Sequence, residues 1–134
     1  LLPLLNALFA RFTASSALVS AFPGGFFRDR APEAATMPYL ISHVTGSKAA
    51  LAYGGIYRVE TEVCFSAYGV GHDAVGSAIQ TLLAQLDNQP LMLSVGTNDT
   101  VARFGEPVPK LHRQDAQGND VWEWSVTYSY NILS

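Results

Sequence analysis

From Val121 to Leu133 the chain alternates without a break: Trp122, Trp124, Val126, Tyr128, Tyr130 and Ile132 against Glu123, Ser125, Thr127, Ser129 and Asn131. Side chains two apart on an extended backbone share a face, so this stretch predicts a strand with one buried and one wet side. It outruns the usual strand of about 5–6 residues. Such length suits a central sheet position or a subunit interface. The apolar side needs a second layer over it, and the rest of the chain indicates which kind.

Helical spacing supplies that layer. Leu1, Leu4, Leu5, Leu8, Phe9 and Phe12 line one face of an N-terminal helix, and a second short helix is predicted over Ser15 to Ala21. Pro23-Gly24-Gly25 stops it. Val75, Ile79, Leu82, Leu83 and Leu86 mark a third helix after Gly69-Val70-Gly71, capped by Asp73 or the residue before it and ending near Asp87 to Pro90.

The remaining segments read as strands and turns. Phe26 to Arg30 is a short extended piece and Ala31 to Thr36 a loop. Pro38 to Val44 is β-rich, with proline at its first residue. Gly46 to Gly55 is rich in small residues and predicts a loop or hairpin tip, mobile in a free subunit and ordered in an assembly. In Ile56 to Tyr68, Tyr57, Val59, Thr61, Val63 and Phe65 alternate with Arg58, Glu60, Glu62, Cys64 and Ser66. Charges on one face indicate a half-exposed antiparallel strand rather than a buried parallel one. Leu91 to Val95 and Val101 to Val108 predict two strands around a Gly96 to Asp99 turn, and Gln114 to Asn119 a second turn. The sum is one α+β domain spanning residues 1–134: an antiparallel or mixed sheet of four to six strands, with helices packed on one face. Tyr39 to Val44 and Ile56 to Phe65 are expected to form its central hairpin.

Composition narrows the function. With 49% hydrophobic and only 14% charged residues, the chain is not of the disordered type. The charged fraction lies below the roughly 25% usual for soluble domains, which suggests surface covered by a partner. A net charge of −3 and no basic stripe argue against a specific nucleic-acid binder. The lone Cys64 has no internal disulfide partner and no zinc spacing. No apolar run reaches the roughly 18–20 residues of a membrane span, and the N-terminus lacks the features of a signal peptide. The absence of an initiator Met at position 1 suggests processing, or leading residues outside this sequence.

Gly69-Val70-Gly71-His72-Asp73-Ala74 matches the G-x-G-x-x-G/A pattern of dinucleotide-binding folds. Its context does not match, because the preceding strand carries Glu60 and Glu62 and is not the first of a parallel βαβ unit. A glycine turn feeding a helix accounts for it better. His43, His72 and His112 have no metal-binding spacing, and no nucleophile elbow is present. Cys64 shares its face with two carboxylates, which disfavour a thiolate nucleophile. Glu60 and Glu62 could resemble a glycosidase pair, but on an open strand they suit a solvated edge or an inter-subunit ion-pair surface. The aromatic run of Trp122 to Tyr130 could stack sugars or bases, although its alternation assigns it to the core. No catalytic, cofactor-binding or metal residue is expected.

The order of these pieces resembles the tail-terminator and tail-completion family of long-tailed phages. The likeness runs through the leucine-rich N-terminal helix, Gly24-Gly25-Phe26-Phe27 with Asp29, and the proline loop delivering Pro38-Tyr39-Leu40-Ile41. It continues through Phe65-Ser66-Ala67-Tyr68-Gly69, the helix of Ile79, Leu82, Leu83 and Leu86, and the aromatic C-terminal strand. Ser47 to Gly55 and the two tryptophan positions lie outside the pattern.

The resemblance implies a non-enzymatic virion protein, assembled in the host cytoplasm and placed at the head-proximal end of the tail. There it caps the tail tube and stops its polymerisation as a homo-oligomer, a hexameric ring in many members. Its partners would be the tail tube protein and the head-tail connector or neck proteins, with DNA passing through unbound and no membrane contact. Candidate inter-subunit or tube-contacting residues are Tyr39, Ile41, His43, Arg58, Glu60 and Glu62. A neck or connector adaptor, a small dinucleotide-binding or hydrolytic enzyme and a monomeric ligand-binding domain are the alternatives.

Overall fold

A computed structural model describes residues 2–51, 57–94 and 96–133. The elements run α1 (Leu2–Ala14), α2 (Ser16–Ala21), β1 (Phe26–Arg28), β2 (Tyr39–Leu51), β3 (Tyr57–Val70), α3 (His72–Leu86), β4 (Thr97–Gln114) and β5 (Asp120–Leu133). They build a five-stranded sheet in the order β1-β2-β3-β5-β4. Only β1 with β2 is parallel; the other neighbours are antiparallel. The mixed α+β sheet expected from the sequence is therefore present. β2 and β3 pair antiparallel as the expected hairpin requires, its connection lying outside the described residues, and β5 is an interior strand between β3 and β4.

The register shows why the helices cover one side only. Val63 pairs with Val44 and Tyr128, Phe65 with Ser42 and Val126, and Ala67 with Leu40 and Trp124. These side chains line one face, and with Leu4, Leu8, Phe12, Leu18, Phe22 and the inner side of α3 they form a single core. Val75, Ile79, Leu82, Leu83 and Leu86 are all buried, as their spacing predicted. Each contributes about 1.5–3 kcal/mol by leaving water. An exposed ion pair such as Arg58–Asp99, 3.3 Å apart, is worth about 0–1 kcal/mol. The covered face holds the fold together.

Local chemistry sets the helix ends. Pro3 sits in the first turn of α1, where its missing N–H costs nothing. Ser15 separates α1 from α2 and its hydroxyl accepts from Leu18 N at 3.2 Å. The last turn of α3 has no basic residue of its own. Arg11 of α1 supplies one, donating to Gln85 O and Pro90 O at 3.2 Å each. The helix then starts differently from the expectation. Its N-cap is Gly71, without a side-chain bond, and Asp73 lies inside the first turn. Gly71 has φ +93°, which turns β3 straight into α3 and leaves no separate residue to cap.

Two further expectations are corrected. Gly46–Leu51 is strand, not loop, because each residue finds a ladder partner from Glu62 to Tyr57; the rest of the expected loop, and its mobility, lie outside the described residues. Leu91–Ser94 is not a strand, and Gly96 to Asp99 is not a hairpin turn. The backbone N–H of Leu91 is instead taken by buried Asn98 Oδ1 at 2.8 Å, while Asn98 Nδ2 donates to Thr100 O and Asn131 O. β4 then runs unexpectedly far, through bulges near Asp99, between Phe104 and Val108, and near His112. The Gln114 to Asn119 turn is present, held by Asp115 Oδ1 accepting from Gln117 N and Asn119 N at 2.9 Å each.

Beyond the core, β1 and β2 are locked at one point. Gly24 N donates to Pro38 O at 3.0 Å and Leu40 N to Gly25 O at 2.9 Å. A β-carbon on Gly24 would lie 1.6 Å from Thr36 O, whereas one on Gly118 would meet nothing within 4 Å and suffer only from its φ of +81°. Gly24→Ala is expected to cost about 3 kcal/mol through overpacking, and Gly118→Ala about 1 kcal/mol through backbone strain. Urea unfolding of both variants checks this, and equal midpoint shifts would contradict it.

Candidate functional site

Alternation gives the sheet an opposite face on which, among the described residues, no helix packs. Tyr39, Ile41 and His43 of β2 pair with Tyr68, Ser66 and Cys64 of β3, and Glu62, Glu60 and Arg58 continue the same face of β3. All six candidate residues therefore share one surface. Tyr39, Ile41 and Glu62 are half-buried; His43, Arg58 and Glu60 are exposed. Two are already engaged within the chain, Arg58 with Asp99 and Glu60 with the Ser129 hydroxyl at 3.1 Å.

A row of rings that sequence reasoning missed crosses this face. Phe27 of β1 lies 6.2 Å from Tyr39, Tyr39 stacks on Tyr68 at 5.3 Å, and His112 of β4 meets Tyr68 edge-on at 5.0 Å. Such cross-strand aromatic contacts stiffen a sheet. The Tyr68 hydroxyl donates to Glu123 Oε1 at 2.8 Å. Burial, and then the Glu123 carboxylate, push the Tyr68 phenol above its ordinary value. Smaller bonds finish the face: Ser66 with Ser125 at 3.3 Å and Asn131 Nδ2 to Thr100 Oγ1 at 2.7 Å. The signal for the row was present in the alternation, since Tyr68 and Glu123 fall on the same side as Tyr39. Their convergence needed the β3–β5 register.

At one end of the sheet β4 adds exposed apolar groups. Phe104 and Val108 pair with Thr127 and Ser125 and so belong to this face, and Val108 is 63% exposed. Leu111 is also exposed, opposite Trp122 on the helix-covered side. The surface is broad rather than cleft-like. Open grooves lie at its margins, one of about 620 Å³ beside Phe27, Arg28, Arg30 and Glu33, another of about 390 Å³ at Gly46, Lys48, Glu60 and Glu62.

The glycine motif is explained by packing. A β-carbon on Gly69 would lie 2.8 Å from Val75 Cγ2 and 3.1 Å from Pro38 Cβ, so this glycine lets strand, helix and loop meet. Gly76 seats the Trp124 indole, whose Nε1 donates to His72 O at 3.0 Å. His72 stands edge-on to Trp122 and Trp124 and bonds Asp73 at 2.8 Å. His72 and Gly76 at the start of α3 thus fasten the helix to Trp122 and Trp124 of β5. Among the described residues, no group of three or more His, Cys, Asp or Glu is placed to hold a metal ion. Among the described residues, likewise, no helix is long and apolar enough to cross a membrane.

The Tyr68–Glu123 bond carries a pH dependence. Folding raises the phenol's affinity for its proton, so its stabilisation is complete below the unfolded value of about 10 and fades as pH rises past it. Wild-type protein is expected to lose more thermal stability between about pH 9 and pH 11 than Tyr68→Phe does. Melting curves of both across that window provide the check, and parallel losses would contradict the assignment.

No protein-family model matches the chain, and no curated protein sequence matches it. Among solved structures it is similar to a chain of the virion of a native gene transfer agent (GTA) particle. The TM-score is 0.71 at 12% sequence identity, covering 94% of this chain and 91% of that one. At such identity the likeness is one of fold, and it extends over nearly the whole of both chains.

Proposed function

We propose that this protein is a structural subunit of a phage-like virion that caps the tail tube at its head-proximal end. As a ring it would stop tube polymerisation and present a surface to the head connector. The observation that carries this reading is the nearly full-length fold likeness to a chain of a virion particle. The sequence resemblance to tail terminators supports it independently. So does the surface: a sheet face without helices, bordered by the exposed apolar side chains Phe104 and Val108, suits lateral and axial contacts between proteins. The candidate contacts remain Tyr39, Ile41, His43, Arg58, Glu60 and Glu62.

Ring formation needs head-to-tail contacts that close by rotation, and these use two different patches of one subunit. A hexamer is the stoichiometry proposed, with the tail tube protein and the neck proteins as axial neighbours. DNA would pass through the ring without being gripped, in keeping with the net charge of −3.

Native mass spectrometry and electron microscopy test the proposal directly. Purified protein added to growing tail tubes of the same virus is expected to decorate tube ends as rings and to halt elongation. Failure to bind tube ends would overturn the capping role. Binding to the head connector, with none to the tube, would instead identify a neck adaptor.

A further inference from the structure

The two edges of the sheet are built differently. On β4, Gly105 (φ +71°) and Pro107 fall in the bulge between Phe104 and Val108, and Arg103 Nη1 donates to Gly105 O at 2.7 Å. Pro109 follows. The register alternates so that β5's Glu123, Ser125, Thr127, Ser129 and Asn131 turn their backbone groups to β4. Pro109, opposite Trp124, therefore turns its nitrogen outward, where proline removes a free donor without harming the sheet. The second half of β4 is blunted against strand addition. Its first half, Thr97–Phe104, carries no proline and one bulge, near Asp99, beyond which Thr100–Phe104 runs regularly.

The β2 edge has the opposite character. β1 pairs only with Leu40–Ser42. From Val44 to Leu51 no described strand lies on the outer side of β2. Leu40 N and Ser42 O point outward to β1, donating to Gly25 O and accepting from Asp29 N. Carried through the bulge between Val44 and Gly46, the same alternation points the N–H and C=O groups of Ser47 and Ala49 outward. Apart from Val44, Lys48 and Leu51 the residues of this edge are small, and Lys48 is its one charge. Guarded only by that bulge and Lys48, with no proline, this open edge is a template for another strand.

We infer that the outer edge of β2 at Val44–Leu51 receives the first half of β4, Thr97–Phe104, from a second copy of this chain. This deepens the ring proposal and rests on it. The two free spans are of equal length and lie on opposite sides of one sheet, so joining them propagates head to tail. Bulky Val101, Arg103 and Phe104 would cover an edge of Gly46, Ser47 and Ala49. Two β2 edges paired across a two-fold axis would instead bring Lys48 near its own copy on one face, an unfavourable like-charge contact. The first half of β4 brings Asp99 and no positive charge to that face, Arg103 lying opposite Tyr128 on the other.

Hydrogen exchange resolved to single amides, on dilute subunit and on the assembled ring or ring-capped tubes, tests the pairing. The amides of Ser47, Ala49, Val101 and Arg103 are expected to become protected on assembly, while Gly46 and Lys48 are protected in both states. Ala49→Pro removes one outward N–H and leaves the β3 ladder intact, so it should keep the monomer's melting temperature while weakening assembly at least tenfold. A ring whose Ser47 and Ala49 amides exchange as in the dilute subunit overturns this inference and leaves the capping role standing. Protection gained on β2 without β4 overturns it too, since the added strand would then come from another protein. Absence of any ring, free or on tubes, overturns both.

Discussion

The molecule depends on a sheet that is dry on one side only. Val63, Phe65, Val126, Tyr128 and Tyr130 cannot stay in water, and α3 answers them with a continuous apolar side. Placement of the other parts follows. α1 and α2 extend the cover toward β1 and β2, and Arg11 ties the end of α3 to them. The Tyr128 hydroxyl reaches Asp87 at the far end of α3 at 2.6 Å, and Arg103 of β4 bonds the same carboxylate at 3.0 Å. One helix terminus thus gathers contacts from two strands.

How much of this was legible in the sequence depended on periodicity. β5 and α3 announced themselves because long apolar patterns of period two and 3.6 leave few alternatives. Gly46–Leu51 has no such pattern. Its small residues become strand because β3 continues beside them and offers partners. Leu91–Ser94 departs in the other direction. Its local run looks like a strand, but the Asn98 side chain claims the Leu91 N–H, a contact made by one residue and invisible to any period.

The candidate surface was legible to the same degree. Alternation alone put Tyr39, Ile41 and His43 on one side of β2, and Arg58, Glu60 and Glu62 on one side of β3. That these two sides coincide requires the register. The aromatic row from Phe27 to His112 takes rings from four strands, passes over the fifth and needs the strand order as well, including a parallel β1 that three residues could not advertise. Likewise the glycine motif is informative only in place. Gly69 is small so that Val75 and Pro38 can come close, and Gly71 takes φ +93° to turn β3 into α3, two local demands that mimic the spacing of a nucleotide-binding turn.

Tyr130 shows where the sequence has slack. Its ring is wholly buried, yet its hydroxyl finds no hydrogen-bond partner among the described groups. An unsatisfied buried hydroxyl is a standing cost of about 1–3 kcal/mol, incurred without any bond in return. Phenylalanine would fill the same volume without it. In an evolutionary sense the position is a reserve: one base change from tyrosine to phenylalanine could offset a destabilising substitution on the open face, so the contact surface can drift toward new partners while the core absorbs the loss.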